Sequence, residues 1–299
     1  MKLMDIRGVI PPVITPFKEN GDIDFNAHVR NIESWNACSL AGYLALGSNS
    51  EAVYLTTEEK IELLQVTAKS AAPGRIILAG TGAESTRETI SLTNEAARAG
   101  AQAALVLTPF YYWTRMTEPA LIAHFTQLAD AADIPVLLYN VPKFTHLNIS
   151  RRAVEVLSQH PNIIGMKDSS GDVAQLASFQ SVIPAGFNLA VGTASAWYPA
   201  LALGVTTGIL ALANCCPKEC VEVQRLWEAG RNQEAQDLYR RLLPVNTAVT
   251  ATFGIAGLKF AADLLGFRGG TVRSPLQELT GEEQLKLRQI LVVAGLLGS

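Results

Sequence analysis

Residues 163–170 read IIGMKDSS, an apolar run that is interrupted by one lysine and followed by small polar residues. Short apolar runs bounded by such residues are typical of strands that are buried on both faces of a parallel sheet. Seven more runs of this kind occur along the chain, at 8–17, 42–47, 75–82, 103–110, 135–142, 188–193 and 207–214. The sequence therefore predicts eight parallel strands.

Segments with helical periodicity separate these runs. One follows Thr56, where a capping threonine precedes acidic residues that suit the helix dipole, and others follow Ser85, Thr117 and Ser150. Eight strand–helix units that end near residue 230 approach the roughly 250 residues of a (β/α)8 barrel, whereas an open doubly wound sheet seldom needs so many. We expect an α/β fold, a (β/α)8 TIM barrel over residues 1–230.

The remaining residues, 231–299, are predicted to form further helices in the stretches 232–250, 254–266 and 281–297. No linker or low-complexity segment precedes them. We therefore expect a C-terminal helical extension that packs on the barrel, with another subunit as a further candidate contact.

Composition narrows the classes of partner. The 299 residues are 48% hydrophobic and 17% charged, with a net charge of −3 and no block of Lys or Arg, which argues against a nucleic-acid partner. No apolar stretch reaches the roughly 18 residues of a membrane span, and residues 1–12 lack the apolar core of a signal peptide. We expect a cytoplasmic protein with no membrane partner.

Four cysteines, at positions 38, 215, 216 and 220, have the spacing of neither a disulfide framework nor a zinc site. We expect buried or interfacial thiols and no metal.

The active site of such a barrel forms at the carboxyl ends of its strands. Lys167 is the candidate nucleophile there, because desolvation favours the neutral amine that attacks a carbonyl to form an imine. Alternatively, Lys167 points out of the barrel or pairs with Asp168. Tyr139, at the end of the preceding strand, is a candidate proton carrier, or else a rim aromatic with its hydroxyl in water.

The stretch GSNSE at 47–51 follows the second strand. Its glycine and small polar residues suit a loop whose backbone N–H groups approach a carboxylate, although a plain strand-to-helix turn would also fit.

These residues, in this order, resemble the dihydrodipicolinate synthase and N-acetylneuraminate lyase superfamily over essentially the whole chain. Within it, the likeness is closest to 4-hydroxy-2-oxoglutarate aldolase, in the stretches 110–116, 157–173, 211–214, 246–259 and 274–279. The resemblance implies a Schiff base between Lys167 and pyruvate, with Tyr139 as the proton shuttle. It also implies a homotetramer with no metal or organic cofactor.

The resemblance assigns further roles. Ser48 and Asn49 hold the pyruvate carboxylate, and Tyr111 reaches into the site of a neighbouring subunit. Ser169 matches a residue beside the lysine in the hydroxy-oxoglutarate enzymes. The substrate-binding set is completed by Gly192, Phe144 and Ile209.

The chain departs from the superfamily in the stretch that would contact the aldehyde, the substrate that accepts pyruvate. Similar synthases place an arginine two residues after YNVP (139–142), where this chain has Phe144. The hydroxy-oxoglutarate aldolases have a small polar residue and a glycine in this stretch, where Phe144 and His146 stand here. An aromatic wall favours a less charged or larger aldehyde. Arg115 and Lys143 are candidates for a second positive charge and His146 for orienting a substrate hydroxyl, although exposure to solvent is favoured for each.

The leading hypothesis is reversible aldol cleavage of a 4-hydroxy-2-oxo acid to pyruvate and an aldehyde. A nearby alternative is dihydrodipicolinate synthesis from pyruvate and aspartate semialdehyde. An alternative of another class is a non-catalytic protein that binds a 2-oxo acid or regulates through it.

Overall fold

The computed structural model describes residues 4–298. Eight parallel strands, β1 to β8, form one sheet in the order β1-β8-β7-β6-β5-β4-β3-β2. Their bounds are Gly8–Ile10, Gly42–Ala45, Ile76–Gly80, Ala103–Leu107, Val136–Asn140, Ile163–Asp168, Asn188–Val191 and Thr207–Ile209. Each of the eight predicted runs contains one strand. The strands are shorter than the runs because the last residues of most runs lie in loops at the carboxyl ends.

Backbone hydrogen bonds close the ring between the first two strands. The N–H of Val13 donates to Leu44 O at 2.9 Å, and the N–H of Leu44 donates to Pro11 O at 3.0 Å. The predicted (β/α)8 barrel is therefore confirmed.

Helices connect the strands and continue beyond the last one. Those up to residue 230 are α1 to α9, and α10 to α12 form the C-terminal extension. Their bounds are Phe25–Asn36, Thr57–Ser70, Thr86–Arg98, Glu118–Ala131, Pro142–Thr145, Arg151–Leu157, Val173–Gln180, Trp197–Ala202, Pro217–Glu228, Asn232–Thr247, Gly254–Leu264 and Gly281–Val293.

The predicted helix starts coincide with side-chain caps. Thr56 forms a capping box with Glu59, in which each side chain accepts a hydrogen bond from the other residue's backbone N–H. Ser85, Thr117 and Ser150 each accept a hydrogen bond from the N–H three residues later. These caps satisfy N–H groups that the first helical turn leaves without a partner.

The barrel interior is filled by apolar side chains from alternating positions of the strands, among them Ile10, Leu44, Leu105, Leu137 and Ile209. A larger apolar layer lies between the sheet and the surrounding helices. All four cysteines are free and buried, as expected. No helix within residues 4–298 has the length and apolar character needed to cross a membrane.

The extension packs on the barrel. Helix α10 lies against α8 and α9, a turn of π-helix at Ala248–Thr252 leads into α11, and α12 contacts α10 and α11. The division into a barrel at 1–230 and an extension at 231–299 stays a prediction.

Candidate active site

Lys167 lies near the carboxyl end of β6 with only 4% of its surface exposed. It pairs in register with Tyr139 on β5, and its Nζ lies 4.3 Å from the centroid of the Tyr139 ring. Tyr139 is 6% exposed and belongs to the cluster inside the barrel, so its ring does not stand at a solvent-exposed rim. The two candidate reacting groups are therefore neighbours in a buried site.

A β-bulge turns Lys167 inward. The register between β5 and β6 runs from Val136 opposite Ile163 to Leu137 opposite Gly165, so one residue of β6 is inserted at Ile164. Because side chains alternate between the two faces of a strand, one inserted residue exchanges the faces of all that follow.

Asp168 points away from Lys167 and has other partners. Its carboxylate accepts hydrogen bonds from Asn140 Nδ2 at 2.7 Å, Ser170 Oγ at 2.6 Å and Gln175 Nε2 at 3.2 Å. Since Asn140 follows Tyr139 and Asp168 follows Lys167, this contact also fastens the two strands where the candidate groups meet. The alternative in which Lys167 pairs with Asp168 does not occur.

Gly192, just beyond β7, makes room for its neighbours. A Cβ atom at this position would lie 1.8 Å from Ser169 Oγ and 2.8 Å from Lys167 Cε. The Ser169 Oγ is buried and has no hydrogen-bond partner within residues 4–298. A buried polar atom without a partner is uncommon, so this hydroxyl is available to a bound molecule beside the lysine.

The GSNSE stretch forms a single 3-10 turn at Ser48–Ser50. Ser48 and Asn49 are half-buried, and the first N–H groups of such a turn have no partner inside it. Ser50 is buried and anchors the turn to the barrel, because its Oγ donates to Val13 O at 2.5 Å.

A cavity of about 340 Å³ opens at this end of the barrel. Ser48 and Tyr139 are among its lining residues. Much of the remaining wall is apolar, including Leu107, Phe110, Val141, Phe144, Ile255 and Leu276. The structure thus places Phe144 in the wall of the candidate acceptor pocket, with 53% of its surface exposed.

Lys143 and Arg115, the two candidates for a second positive charge, do not line this cavity. Lys143 Nζ donates to Thr250 O at 3.0 Å, and Arg115 is exposed and does not line the cavity. His146 is exposed and packs beside Trp113, with ring centroids 6.1 Å apart.

Of the predicted site residues, Ser48, Tyr139 and Phe144 line this cavity, whereas the other six do not: Lys167, Tyr111, Asn49, Ser169, Gly192 and Ile209. Ile209 is fully buried in the barrel interior, and Tyr111 is 73% exposed with its ring edge-on to Tyr112. The Tyr111 N–H donates to Glu84 Oε2 at 2.8 Å, which fixes the loop that carries it.

Sequence reasoning missed a second buried lysine. Lys259, on α11, is 1% exposed and forms an ion pair with Glu51, the residue directly after the 3-10 turn. Its position within the apolar stretch GIAGLKFAA (254–262) is the same kind of signal that singled out Lys167.

A buried amine on strand six, beside a tyrosine at the carboxyl end of a (β/α)8 barrel, defines a class of barrel lyases that form Schiff bases. Comparison with known proteins identifies the family. Residues 5–294 match the model of the Dihydrodipicolinate synthetase family, and the chain belongs to that family.

The relatives agree with this assignment. The chain is 36% identical to a 4-hydroxy-tetrahydrodipicolinate synthase of Methanothrix thermoacetophila over 95% of this chain and 96% of the relative. It superposes on a dihydrodipicolinate synthase from Bacillus anthracis with a TM-score of 0.92 and 28% identity, over 97% and 98% of the two chains. It superposes on the dihydrodipicolinate synthase from Aquifex aeolicus with a TM-score of 0.91 and 30% identity, over 98% of this chain and 100% of that chain.

The predicted superfamily is therefore confirmed, and the chain is a Schiff-base-forming lyase of the pyruvate-dependent class I aldolase type. The relatives are named as synthases and give no support to the closer likeness to 4-hydroxy-2-oxoglutarate aldolase.

Proposed function

We propose that Lys167 forms a Schiff base with pyruvate and that the resulting enamine is joined to an aldehyde, or released from one in the reverse direction. The observation that supports this most directly is the buried Lys167 amine against the Tyr139 ring. Attack of the amine on the C2 carbonyl gives a carbinolamine, which loses water to form a protonated imine. Loss of a proton from C3 then gives the enamine that attacks the aldehyde, and water releases the product from the lysine.

Tyr139 is proposed to carry the protons of these steps, since its hydroxyl both donates and accepts. The Ser48–Ser50 turn, with Ser48 and Asn49, is proposed to hold the pyruvate carboxylate, and the free Ser169 hydroxyl to bind the substrate beside the imine. Gly192 leaves space for the side chains of Lys167 and Ser169, because a Cβ atom at this position would overlap both.

For the acceptor, the relatives favour the synthase reaction, the condensation of pyruvate with aspartate semialdehyde. One observation favours aldol cleavage of a 4-hydroxy-2-oxo acid as the second candidate. Phe144 stands at the sequence position where similar synthases have an arginine, and it lines the cavity among apolar neighbours. No guanidinium at this position can pair with the carboxylate of a charged acceptor, and the cation that the described residues contribute to the lining is the ammonium of Lys60.

The imine is tested by incubation with pyruvate and borohydride, followed by peptide mass spectrometry. A reduced pyruvyl adduct is expected on Lys167 and not on Lys259, the matched buried lysine. An unmodified Lys167 at saturating pyruvate would rule out the mechanism. Pyruvate that binds without an adduct, with an affinity that Lys167→Ala leaves unchanged, would instead support the non-catalytic binding protein.

The acceptor is tested by coupled turnover assays. Condensation of pyruvate with aspartate semialdehyde is expected if the chain is a synthase, and release of pyruvate from 4-hydroxy-2-oxo acids if it is an aldolase. Phe144→Arg provides the matched comparison, because it should raise the synthase rate relative to the cleavage rate.

We also propose a cytoplasmic homotetramer in which Tyr111 completes a neighbouring site. The exposed rings of Tyr111, Tyr112 and Trp113 beside the barrel mouth support a contact between subunits. Light scattering gives the subunit number, and in an aldol assay Tyr111→Phe should lower turnover without dissociating the assembly.

A further inference from the structure

The turn that carries Ser48 and Asn49 is fastened to the C-terminal extension by buried charges. Glu51 follows this turn directly, and its side chain is fully buried. Lys259 approaches from α11, with its Nζ 2.5 Å from Glu51 Oε1. The ion pair therefore joins the end of a barrel loop to a helix that follows the last barrel unit by some 30 residues of sequence.

The second carboxylate oxygen is held from the same side. The N–H of Arg273 donates to Glu51 Oε2 at 2.8 Å. The guanidinium of Arg273 makes two hydrogen bonds of 2.7 Å to Glu59, in the first turn of α2, and one of 2.9 Å to Tyr54 O. The extension thus contacts Glu51 and Tyr54, in the connection from β2 to α2, and Glu59, in the first turn of α2.

The surroundings of the pair restrict its movement. The Phe17 ring lies beside both cations, with its centroid 4.4 Å from Lys259 Nζ and 4.4 Å from Arg273 Cζ. Lys259 also donates to Thr271 O at 2.6 Å. Burial lowers the pKa of Lys259, and the neighbouring Glu51 carboxylate opposes that shift. Because a buried ion pair often adds little net stability, this pair is better understood by what it holds in place.

The ion pair constrains the backbone of Glu51. Its φ of 54° and ψ of 34° lie in the left-handed region, which a residue with a side chain adopts only at a cost. This conformation ends the Ser48–Ser50 turn, and the Glu51 N–H donates to Ser48 O at 3.2 Å, so a fixed Glu51 also holds the turn in place. A carboxylate that is held on both oxygens can keep Glu51 in this conformation before any substrate arrives.

We propose that Glu51 and Lys259 are positioning residues that preorganise the Ser48–Ser50 turn to receive the carboxylate of the 2-oxo acid. The C-terminal extension is then a part of the pyruvate site, and the two residues act through the turn. This inference rests on the proposed function, because the carboxylate that the turn receives is that of pyruvate.

The test uses the double variant Glu51→Gln with Lys259→Met, which removes both charges and leaves neither unpaired. Borohydride trapping is measured as a function of pyruvate concentration in the full-length protein. We expect the half-saturating concentration to rise about 10-fold or more, while the labelling at saturation changes little, since the loss is one of ground-state binding. Lys286→Met, which breaks an exposed ion pair with Glu282 on α12, is the matched control and should leave both values unchanged.

Two further variants separate positioning from stability. Lys259→Arg retains the charge and should recover most of the affinity for pyruvate. Glu51→Asp retains the charge but shortens the side chain by one methylene, so it should weaken pyruvate binding even if the double variant does not fold. Thermal unfolding is measured for each, because a merely structural role would lower the melting temperature and leave the half-saturating concentration of the folded protein unchanged.

The outcomes are distinct. An adduct on the wild-type protein with unchanged half-saturation in the folded variants overturns the positioning role alone. No adduct on the wild-type protein overturns both this role and the proposed function.

Discussion

Lys167 and Lys259 are both buried, with 4% and 1% of their surfaces exposed, and each amine lies over an aromatic ring. They differ in their other contacts. Lys259 has the Glu51 carboxylate at 2.5 Å and the Thr271 carbonyl at 2.6 Å, whereas Lys167 has no carboxylate within 4 Å among residues 4–298. A counter-ion makes a buried lysine part of the framework, and its absence leaves the amine free to react with a carbonyl.

The largest effect is expected from Lys167→Ala. Without the amine no imine forms, so turnover should fall by at least about 1,000-fold in an aldol assay, while circular dichroism should show an intact fold. A variant that keeps more than a tenth of the wild-type rate would contradict the assignment of the nucleophile.

Lys259→Met should lower the stability of the fold, whereas Lys167→Ala should lower turnover and leave the fold intact. Lys259→Met leaves the buried Glu51 carboxylate without its partner, and the free energy of unfolding in urea should fall by about 3–5 kcal/mol. Adding Glu51→Gln removes the unpaired charge and should restore a large part of that loss. If the single variant proves as stable as the wild type, the contrast between the two lysines does not hold.

Gly192→Ala sharpens the comparison because it disturbs the surroundings of Lys167 and not those of Lys259. The added methyl group would meet Ser169 Oγ at 1.8 Å and Lys167 Cε at 2.8 Å, so both side chains must shift. A displacement of about 1 Å can lower kcat by about 100-fold. Gly281→Ala, at a glycine with no atom within 4 Å of the added group, is the matched control and should have the wild-type rate.

His28 extends the comparison to a buried base of another type, with a smaller effect. Burial lowers its pKa from 6.5 to about 4, and its Nε2 lies 2.8 Å from Thr67 Oγ1. Because the folded pKa is depressed, the unfolded chain binds the proton more readily. Stability is therefore lost as the pH falls from about 6.5 towards 4.

From these two pKa values, protonation of His28 in the unfolded chain should lower the free energy of unfolding by about 2 kcal/mol between pH 7 and pH 5. His28→Gln, which can still bond to Thr67, should flatten this part of the profile in urea unfolding. Some slope will remain, since burial also lowers the pKa of His124 to about 4. An unchanged profile in the variant would show that His28 is not the titrating group.

Much of the fold could be predicted because its signals are local. Apolar runs of strand length and capping residues such as Thr56 act over a few positions, and all eight runs contain strands. The position of Lys259 could not be read in the same way. Its partner Glu51 lies 208 positions earlier in the chain, and only the packing of α11 against the barrel loops brings the two together.

The sequence by itself determined the barrel, the lysine on strand six and the tyrosine on strand five. It could not decide which face of the strand Lys167 occupies, because strict alternation from the inward-facing Ile164 would place the lysine on the outer face. The bulge at Ile164 decides it, since one extra residue exchanges the two faces. That shift depends on how β6 pairs with β5, and strand pairing is a property of the tertiary structure.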